Sequence, residues 1–178
     1  MSADTVDLRN YIRDIPDFPK PGIVFKDITP MLLDPSALDA SIARLVAFAQ
    51  PLSVDFVVAA EARGFILGAA IARQLEAGFV PARKPGKLPS ETVSAEYVLE
   101  YGVDALEVHA DALAGGHRVL VHDDLLATGG TAAALCELVE RLGSIVVACA
   151  FVIELSFLGG RERLEPRLVH ALIDYDSE

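Results

Sequence analysis

The chain has 178 residues, the size of one domain, and its composition excludes several classes of protein. Its 15 Lys and Arg are outnumbered by 26 Asp and Glu, and the resulting charge of −11 disfavours general binding to nucleic acid or anionic lipid. Apolar residues make up 52% of the sequence, which excludes wholesale disorder, and the longest apolar run, 145–153, has half the length of a membrane span. An anionic ligand would therefore need a specialised pocket.

The N-terminal segment and the cysteines indicate the cellular compartment. Residues 1–10 contain two acids, one arginine and no apolar segment of a secretory signal, so export is not expected. Cys136 and Cys149 have neither zinc-site nor CxxC spacing. We therefore expect a cytoplasmic protein with two ordinary buried thiols.

Helix-like and strand-like segments alternate along the chain. This alternation predicts an α/β fold, a single doubly wound domain with a mainly parallel central sheet. A first helix is predicted after Asp4, because one face carries Leu8, Tyr11, Ile12 and Ile15. A proline-rich segment follows, and Asp34 before Pro35 then predicts a helix over 35–49.

The middle of the chain predicts a strand over 55–60, a tight turn over 61–64 and a helix over 65–76. A short strand over 79–83 leads into a loop that begins at Lys84 and contains two prolines, a glycine and a second lysine. These residue types indicate an exposed, mobile loop.

The second half of the chain predicts an antiparallel hairpin from the alternating runs 94–100 and 103–108. The remaining predicted elements are a strand over 118–122, a loop over 123–130, a helix over 131–142, a strand over 145–155 and an edge strand within 167–175.

The most informative segment is 119–131, where a strand delivers Asp123 and Asp124 into a loop of small residues before a helix. Backbone amides, hydroxyl groups and the helix dipole can surround a phosphate there, so we predict a phosphate cradle of Ala127, Thr128, Gly129, Gly130 and Thr131. The two carboxylates can bind sugar hydroxyls and orient the shell of a divalent cation. The segment lacks the Walker and dinucleotide fingerprints, and it therefore indicates a sugar phosphate ligand.

This segment resembles the signature of the type I phosphoribosyltransferases, which bind the ribose and 5-phosphate of phosphoribosyl pyrophosphate. Stretches 21–28, 61–65, 83–89 and 99–102 resemble the adenine-using branch of that family. The resemblance implies the type I fold, with a base-binding hood over about 1–34 and a core over about 35–178 that carries a mobile loop at 84–94. It also implies transfer of phosphoribosyl to adenine with Mg²⁺, giving AMP and pyrophosphate, by a homodimer.

The resemblance also implies residue roles. Pyrophosphate would be bound by Glu61, Ala62, Arg63, Gly64, Lys84 and Lys87. Adenine would be bound by Val24, Phe25, Lys26 and Tyr101. Glu100 would exchange a proton with adenine, so Glu100 and Arg63 are the predicted catalytic residues. Mg²⁺ would be held mainly by substrate, with Asp123 and Asp124 as candidate outer-shell partners.

Several alternatives stay open at this point. A related transferase that uses hypoxanthine, guanine or another base is a second hypothesis. A third is a sensor that keeps the phosphoribosyl pyrophosphate pocket without catalysis. Individual side chains also have purely structural interpretations: Phe25 can be a core residue, and Lys84 can belong to a solvated loop without a ligand. His122 and Lys26 depart from the family pattern, which usually has an aliphatic residue and an arginine at these positions. The simplest interpretation of His122 is a histidine that is hydrogen-bonded within its strand.

Overall fold

The computed structural model describes residues 6–99 and 102–177 as an α/β fold. Its helices and strands in chain order are β1 (Arg13–Ile15), β2 (Phe25–Asp27), α1 (Thr29–Leu33), α2 (Pro35–Ala49), β3 (Phe56–Ala60), α3 (Arg63–Gln74), β4 (Gly78–Ala82), β5 (Thr92–Leu99), β6 (Gly102–His109), β7 (Arg118–Leu126), α4 (Gly130–Arg141), β8 (Ile145–Leu155) and β9 (Val169–Tyr175). A short 3₁₀ turn at Leu8–Tyr11 precedes β1, and others lie between later elements at Gln50–Leu52, Ser156–Leu158 and Glu162–Leu164.

The central sheet has five strands in the order β4-β3-β7-β8-β9. Every neighbouring pair is parallel, which confirms the expected parallel sheet. Because parallel strands carry all their carboxyl ends to one edge, the segments that follow β3, β4, β7 and β8 lie at the same edge of the sheet.

Each face of the sheet buries its own apolar cluster, because successive side chains along a strand point to opposite faces. On one face, Val119 and Val121 of β7 pack with Leu135 of α4, together with side chains of the β5–β6 hairpin. On the other face, Leu120 packs with residues of α2 and α3, including Leu67. Helices therefore cover both faces, as a doubly wound sheet requires.

The sequence pattern predicts the second helix correctly at both ends. Helix α2 runs from Pro35 to Ala49, and the Asp34 carboxylate accepts hydrogen bonds from the backbone N–H groups of Ser36 and Ala37, both at 2.9 Å. Asp34 is thus the N-cap, and Pro35 stands at the first position, where its missing N–H costs nothing.

The predicted first helix is wrong beyond Tyr11. Residues Leu8–Tyr11 form a single 3₁₀ turn capped by Asp7, and the chain then extends into β1. Strand β1 pairs antiparallel with β2, in the register Asp14 to Lys26. This pairing satisfies the backbone of Arg13–Ile15, and it outweighs the helical spacing of the apolar side chains.

The predicted loop over 123–130 is also partly wrong. Strand β7 continues to Leu126, because Asp123, Leu125 and Leu126 stay in register with β8. Helix α4 begins at Gly130, so the true connection is only 127–129. Asp123 and Asp124 therefore project from a strand rather than from a loop.

The remaining predicted elements lie within three residues of their observed bounds, and the predicted hairpin is formed by β5 and β6. Cys136 and Cys149 are buried and free, as expected, with their sulfur atoms 3.6 Å apart. Within residues 6–99 and 102–177, no helix is long and apolar enough to cross a membrane.

Candidate active site

A cavity of about 230 Å³ lies at the carboxyl end of β7. It is lined by Arg63, at the start of α3, and by the continuous segment 123–132. The end of β7, the start of α4 and the turn after β3 therefore meet in one place, which is where open α/β sheets hold their ligands.

The predicted phosphate cradle forms the wall of this cavity. Gly129 has φ of +80° and is the N-cap of α4, so the connection 127–129 turns sharply into the helix. Gly130 and Thr131 open the helix, where backbone N–H groups and the helix dipole favour an anion. Ala127 and Thr128 complete the connection, and all five predicted cradle residues line the cavity.

Gly160 supports the cradle from outside and was missed by the sequence analysis. A Cβ atom at Gly160 would lie 2.1 Å from the Ala127 carbonyl oxygen and 3.0 Å from the Gly129 nitrogen. A Cβ atom at Gly129 would in turn lie 2.5 Å from the Gly160 carbonyl oxygen. The two backbones therefore touch, and only glycine fits at either position. The Gly159-Gly160 pair after β8 was the available signal.

Asp124 and Arg63 form the charged centre of the site. The Arg63 Nε atom lies 3.1 Å from Oδ2 of Asp124, whose side chain is buried, while Arg63 itself is 42% exposed. That oxygen accepts no aligned hydrogen bond within the described residues. Burial raises the pKa of Asp124, and the Arg63 charge opposes that rise. The centre thus has a carboxylate with spare acceptor capacity beside an accessible guanidinium.

Asp123 stands next to this pair. Its Oδ1 atom accepts a hydrogen bond from the Asp124 backbone N–H at 2.9 Å. Burial, followed by the adjacent Asp124 charge, raises the pKa of Asp123 well above its usual value. Hydroxyl donors of a sugar would relieve both effects, because hydrogen bonds to a carboxylate favour its charged form.

The turn 61–64 lies directly against these acids. A Cβ atom at Gly64 would be 2.9 Å from Asp123 Oδ1 and 3.4 Å from the His122 carbonyl oxygen. The peptide between Glu61 and Ala62 is cis. The structure therefore brings the predicted pyrophosphate turn and the predicted ribose carboxylates into contact.

Glu61 connects the turn to the loop that follows β4. Its carboxylate accepts a hydrogen bond from the Arg83 side chain at 3.2 Å and another from the Lys84 backbone N–H. Burial disfavours the charged form, but these hydrogen bonds outweigh it, and the pKa of Glu61 is lowered. Arg83 also donates to the Lys87 carbonyl at 3.2 Å. The Lys84 ammonium lies elsewhere, 3.0 Å from Asp104 Oδ2.

The predicted adenine residues fall on two sides of β2. The Phe25 ring lies 4.8 Å from the Arg63 guanidinium, at the charged centre, and meets the Phe18 ring edge-on at 5.2 Å. Lys26 points to the opposite face, where its ammonium lies 2.9 Å from Asp14 and 4.4 Å from the centre of the Tyr175 ring.

Three further residues were assigned to adenine or to the proton transfer. Val24 lies just before β2 and is half-buried. Glu100 and Tyr101 lie outside the described residues, so their roles stay predictions.

His122 is buried in β7, immediately before the two acids. Its Nδ1 atom lies 2.9 Å from the Ala150 carbonyl oxygen, and its Nε2 atom has no partner in the described chain. A Cβ atom at Gly68 would lie 3.4 Å from the imidazole ring. Burial lowers the pKa of His122 to about 4, only partly offset by the bond to Ala150. The side chain is therefore neutral near pH 7.

We expect His122 to make folding sensitive to mild acid. The unfolded histidine, with an ordinary pKa of 6.5, takes up a proton as the pH falls to 5, whereas the folded one does not. The His122→Val variant should therefore gain about 2 kcal/mol in unfolding free energy relative to the wild type between pH 7 and pH 5. Urea unfolding of both proteins at the two pH values measures this, and an unchanged difference between them would contradict it.

Within the described ranges, no group of three or more His, Cys, Asp or Glu side chains is placed to hold a metal ion. Asp123 and Asp124 are nevertheless oxygen donors of the type that Mg²⁺ accepts, and one Asp124 oxygen is free of aligned hydrogen bonds. The residues present therefore fit an ion that arrives with its own phosphate ligands.

Comparison with known proteins agrees with this geometry. The model of the phosphoribosyl transferase domain matches residues 33–170. The chain is also 60% identical to an adenine phosphoribosyltransferase of Methylococcus capsulatus over 168 residues, covering 94% of this chain and 98% of that protein. The chain belongs to the adenine phosphoribosyltransferase family.

Solved structures of adenine phosphoribosyltransferases share the fold. The crystal structure from Thermoanaerobacter pseudethanolicus has a TM-score of 0.92 at 53% identity, covering 94% of this chain and 98% of that one. The structure from Saccharomyces cerevisiae, complexed with an imino-altritol bisphosphate and adenine, has a TM-score of 0.87 at 40% identity over 93% and 96% of the two chains. The expected phosphoribosyltransferase fold and the family resemblance are confirmed.

Proposed function

We propose that this chain transfers the 5-phosphoribosyl group from phosphoribosyl pyrophosphate to adenine, giving AMP and pyrophosphate. The observation that carries the proposal is the cavity at the end of β7, which combines a glycine-rich helix start, two adjacent carboxylates and an accessible arginine beside an aromatic ring. These groups match the parts of one substrate pair: a phosphate, a ribose, a leaving pyrophosphate and a flat base. The relatives named above carry the same activity in their names.

In this proposal the cradle holds the 5-phosphate, and the carboxylates of Asp123 and Asp124 accept hydrogen bonds from the ribose hydroxyls. A sugar fixed at both ends presents its anomeric carbon to the turn 61–64, which touches Asp123. Holding the sugar and the base in line can supply roughly 7–11 kcal/mol of the barrier as effective molarity. Positioning is therefore the main task of these residues.

The leaving group needs positive charge. As the bond from the anomeric carbon to pyrophosphate oxygen breaks, negative charge collects on pyrophosphate and positive charge on the sugar. We assign stabilisation of the negative charge on pyrophosphate to Arg63, to the backbone of Glu61, Ala62 and Gly64, and to Lys84 and Lys87. Arg63 has the best support, because its guanidinium already lines the cavity.

Adenine attacks the anomeric carbon through a ring nitrogen and must lose a proton. We propose that it stacks against Phe25, whose ring faces the site, and contacts the backbone of Val24 and Lys26, with Tyr101 beside it. We assign the proton to the carboxylate of Glu100. The Lys26 ammonium is engaged by Asp14 and Tyr175, so its contribution would come from its backbone.

We also propose that Mg²⁺ accompanies the substrate, with Asp123 and Asp124 in its outer shell. When bound, the ion neutralises phosphate charge and favours departure of pyrophosphate. Asp123 and Asp124 would then orient water molecules on the ion, as well as the ribose.

The test is nucleotide formation by the purified chain from adenine and phosphoribosyl pyrophosphate, with and without Mg²⁺, with hypoxanthine and guanine in parallel. We expect AMP, formed only when Mg²⁺ is present. IMP or GMP instead would overturn the base assignment while keeping the phosphate assignments. Binding of phosphoribosyl pyrophosphate without any nucleotide product would identify a sensor.

We propose in addition that the chain is one domain, with the hood and the core as delimited above, and that the protein is a cytoplasmic homodimer. The predicted loop 84–94 ends earlier than expected, because residues 92–94 belong to β5, and we propose that the part before β5 moves over the bound substrate. Two free thiols 3.6 Å apart suit a reducing compartment. Large exposed apolar side chains such as Leu33, at 76%, and Ile66, at 47%, suit a covered surface. Light scattering gives the molar mass, and a monomer would contradict the dimer.

A further inference from the structure

Asp104 of β6 contacts Lys84, at the start of the loop that follows β4, and none of the roles proposed above involves it. It stands directly opposite Tyr97 of β5 in the hairpin register. Its Oδ2 atom lies 3.0 Å from the Lys84 ammonium and 3.3 Å from the Tyr97 hydroxyl, and its Oδ1 atom accepts the Ala105 backbone N–H at 2.9 Å.

Asp104 therefore connects Lys84 to Tyr97 through its Oδ2 atom. Lys84 belongs to the proposed pyrophosphate-binding part of the site. The hydrogen bond from Lys84 lowers the pKa of Asp104, and the same bond raises the pKa of Lys84. Both partners are thus charged at neutral pH, and the pair is ionic.

This ion pair is weak enough for a phosphate to compete with it. The Lys84 side chain is 57% exposed and Asp104 is 24% exposed, and water screens a pair of this kind. Pyrophosphate offers Lys84 several negative charges in place of one. Breaking the pair with Asp104 costs free energy, however, and that cost lowers the net affinity for the phosphate.

We propose that Asp104 is a positioning residue that holds Lys84 away from the substrate until phosphoribosyl pyrophosphate displaces it, and that it thereby weakens substrate binding. The inference rests on the proposed function, since it takes Lys84 as a pyrophosphate ligand. It assigns to the hairpin a role in setting the affinity for this substrate without touching it.

The test is equilibrium binding of phosphoribosyl pyrophosphate with Mg²⁺, measured by calorimetry on the wild type and on Asp104→Asn. We expect the variant to bind about two- to fivefold more tightly, the range that loss of one exposed ion pair allows. High salt should shrink the gain. In steady-state assays the KM for phosphoribosyl pyrophosphate should fall, while the KM for adenine stays unchanged.

Two controls separate this role from a general charge effect. Glu96→Gln removes one negative charge from an exposed position of the same hairpin and should change the affinity less than Asp104→Asn does. In a Lys84→Gln background, Asp104→Asn should lose most of its effect, because its partner is gone. Asp104→Ser serves as a second variant if Asp104→Asn unfolds, because its hydroxyl can still accept the Ala105 N–H.

The outcomes are distinct. Equal or weaker binding by folded Asp104→Asn and Asp104→Ser overturns the inference, and so does an undiminished gain in the Lys84→Gln background. Failure of the wild type to bind phosphoribosyl pyrophosphate would instead overturn the proposed function.

Discussion

Replacing Gly160 by alanine is expected to lower kcat/KM for phosphoribosyl pyrophosphate by at least about 10²-fold. The added methyl group would stand 2.1 Å from the Ala127 carbonyl oxygen, and backbone atoms cannot rotate aside as a side chain can. The connection 127–129 must therefore shift by an ångström or more, and a displacement of that size in a positioning element costs rate on this scale. Steady-state kinetics and calorimetry of substrate binding measure the loss.

The neighbouring glycine provides a matched control. Gly159 has φ of +66°, and a Cβ atom there would meet only the end of the Glu162 side chain, at 3.8 Å. Gly159→Ala should thus cost about 1 kcal/mol of stability from backbone strain and leave the cradle in place. If both variants retained full activity, contact between Gly160 and the cradle would have no bearing on substrate binding.

Replacing Arg63 by leucine should have an effect at least as large, lowering kcat/KM by roughly 10²–10³-fold. Removing one preorganised group that stabilises developing negative charge costs about this much in other enzymes. The substitution also leaves the buried Asp124 carboxylate without its cation, which raises the pKa of Asp124 further. Steady-state kinetics with varied phosphoribosyl pyrophosphate give the result.

Two comparison variants test whether positive charge alone explains the role of Arg63 and whether its position in the helix matters. Arg63→Lys keeps the charge without the planar guanidinium and should recover only part of the rate. Arg73→Leu removes an exposed arginine from the last turn of the same helix, far along it from the cavity, and should stay within about twofold of the wild type. A loss below tenfold in folded Arg63→Leu would remove Arg63 from the leaving-group assignment.

An element could be predicted from the sequence wherever the residues that determine it lie within a few positions of one another. The N-cap acid and N1 proline place α2, and the run of small residues after two acids places the cradle. Both are decided by hydrogen bonds and torsion angles of adjacent residues, so a single sequence contains them.

Contacts between distant residues could not be predicted in this way. Gly160 acts on Ala127 across more than thirty residues, and Lys84 meets Asp104 only because the hairpin folds back over the loop. The first predicted helix failed for the same reason, since β1 exists only by pairing with β2. The orientation of Lys26, by contrast, was available from strand alternation, because neighbours in a strand face opposite sides.

Strand β7 is held by more neighbouring elements than β1 and β2 are, and this difference predicts different rates of amide hydrogen exchange. Strand β7 is flanked by β3 and β8 and covered on both faces, so its amides should exchange only when the whole domain opens. Strands β1 and β2 have three residues each and pair only with one another, so their amides should exchange through local opening. The proposed base-binding segment and the proposed phosphate-binding segment thus belong to separately opening units. We therefore expect that the former can be redesigned for another purine without loosening β7.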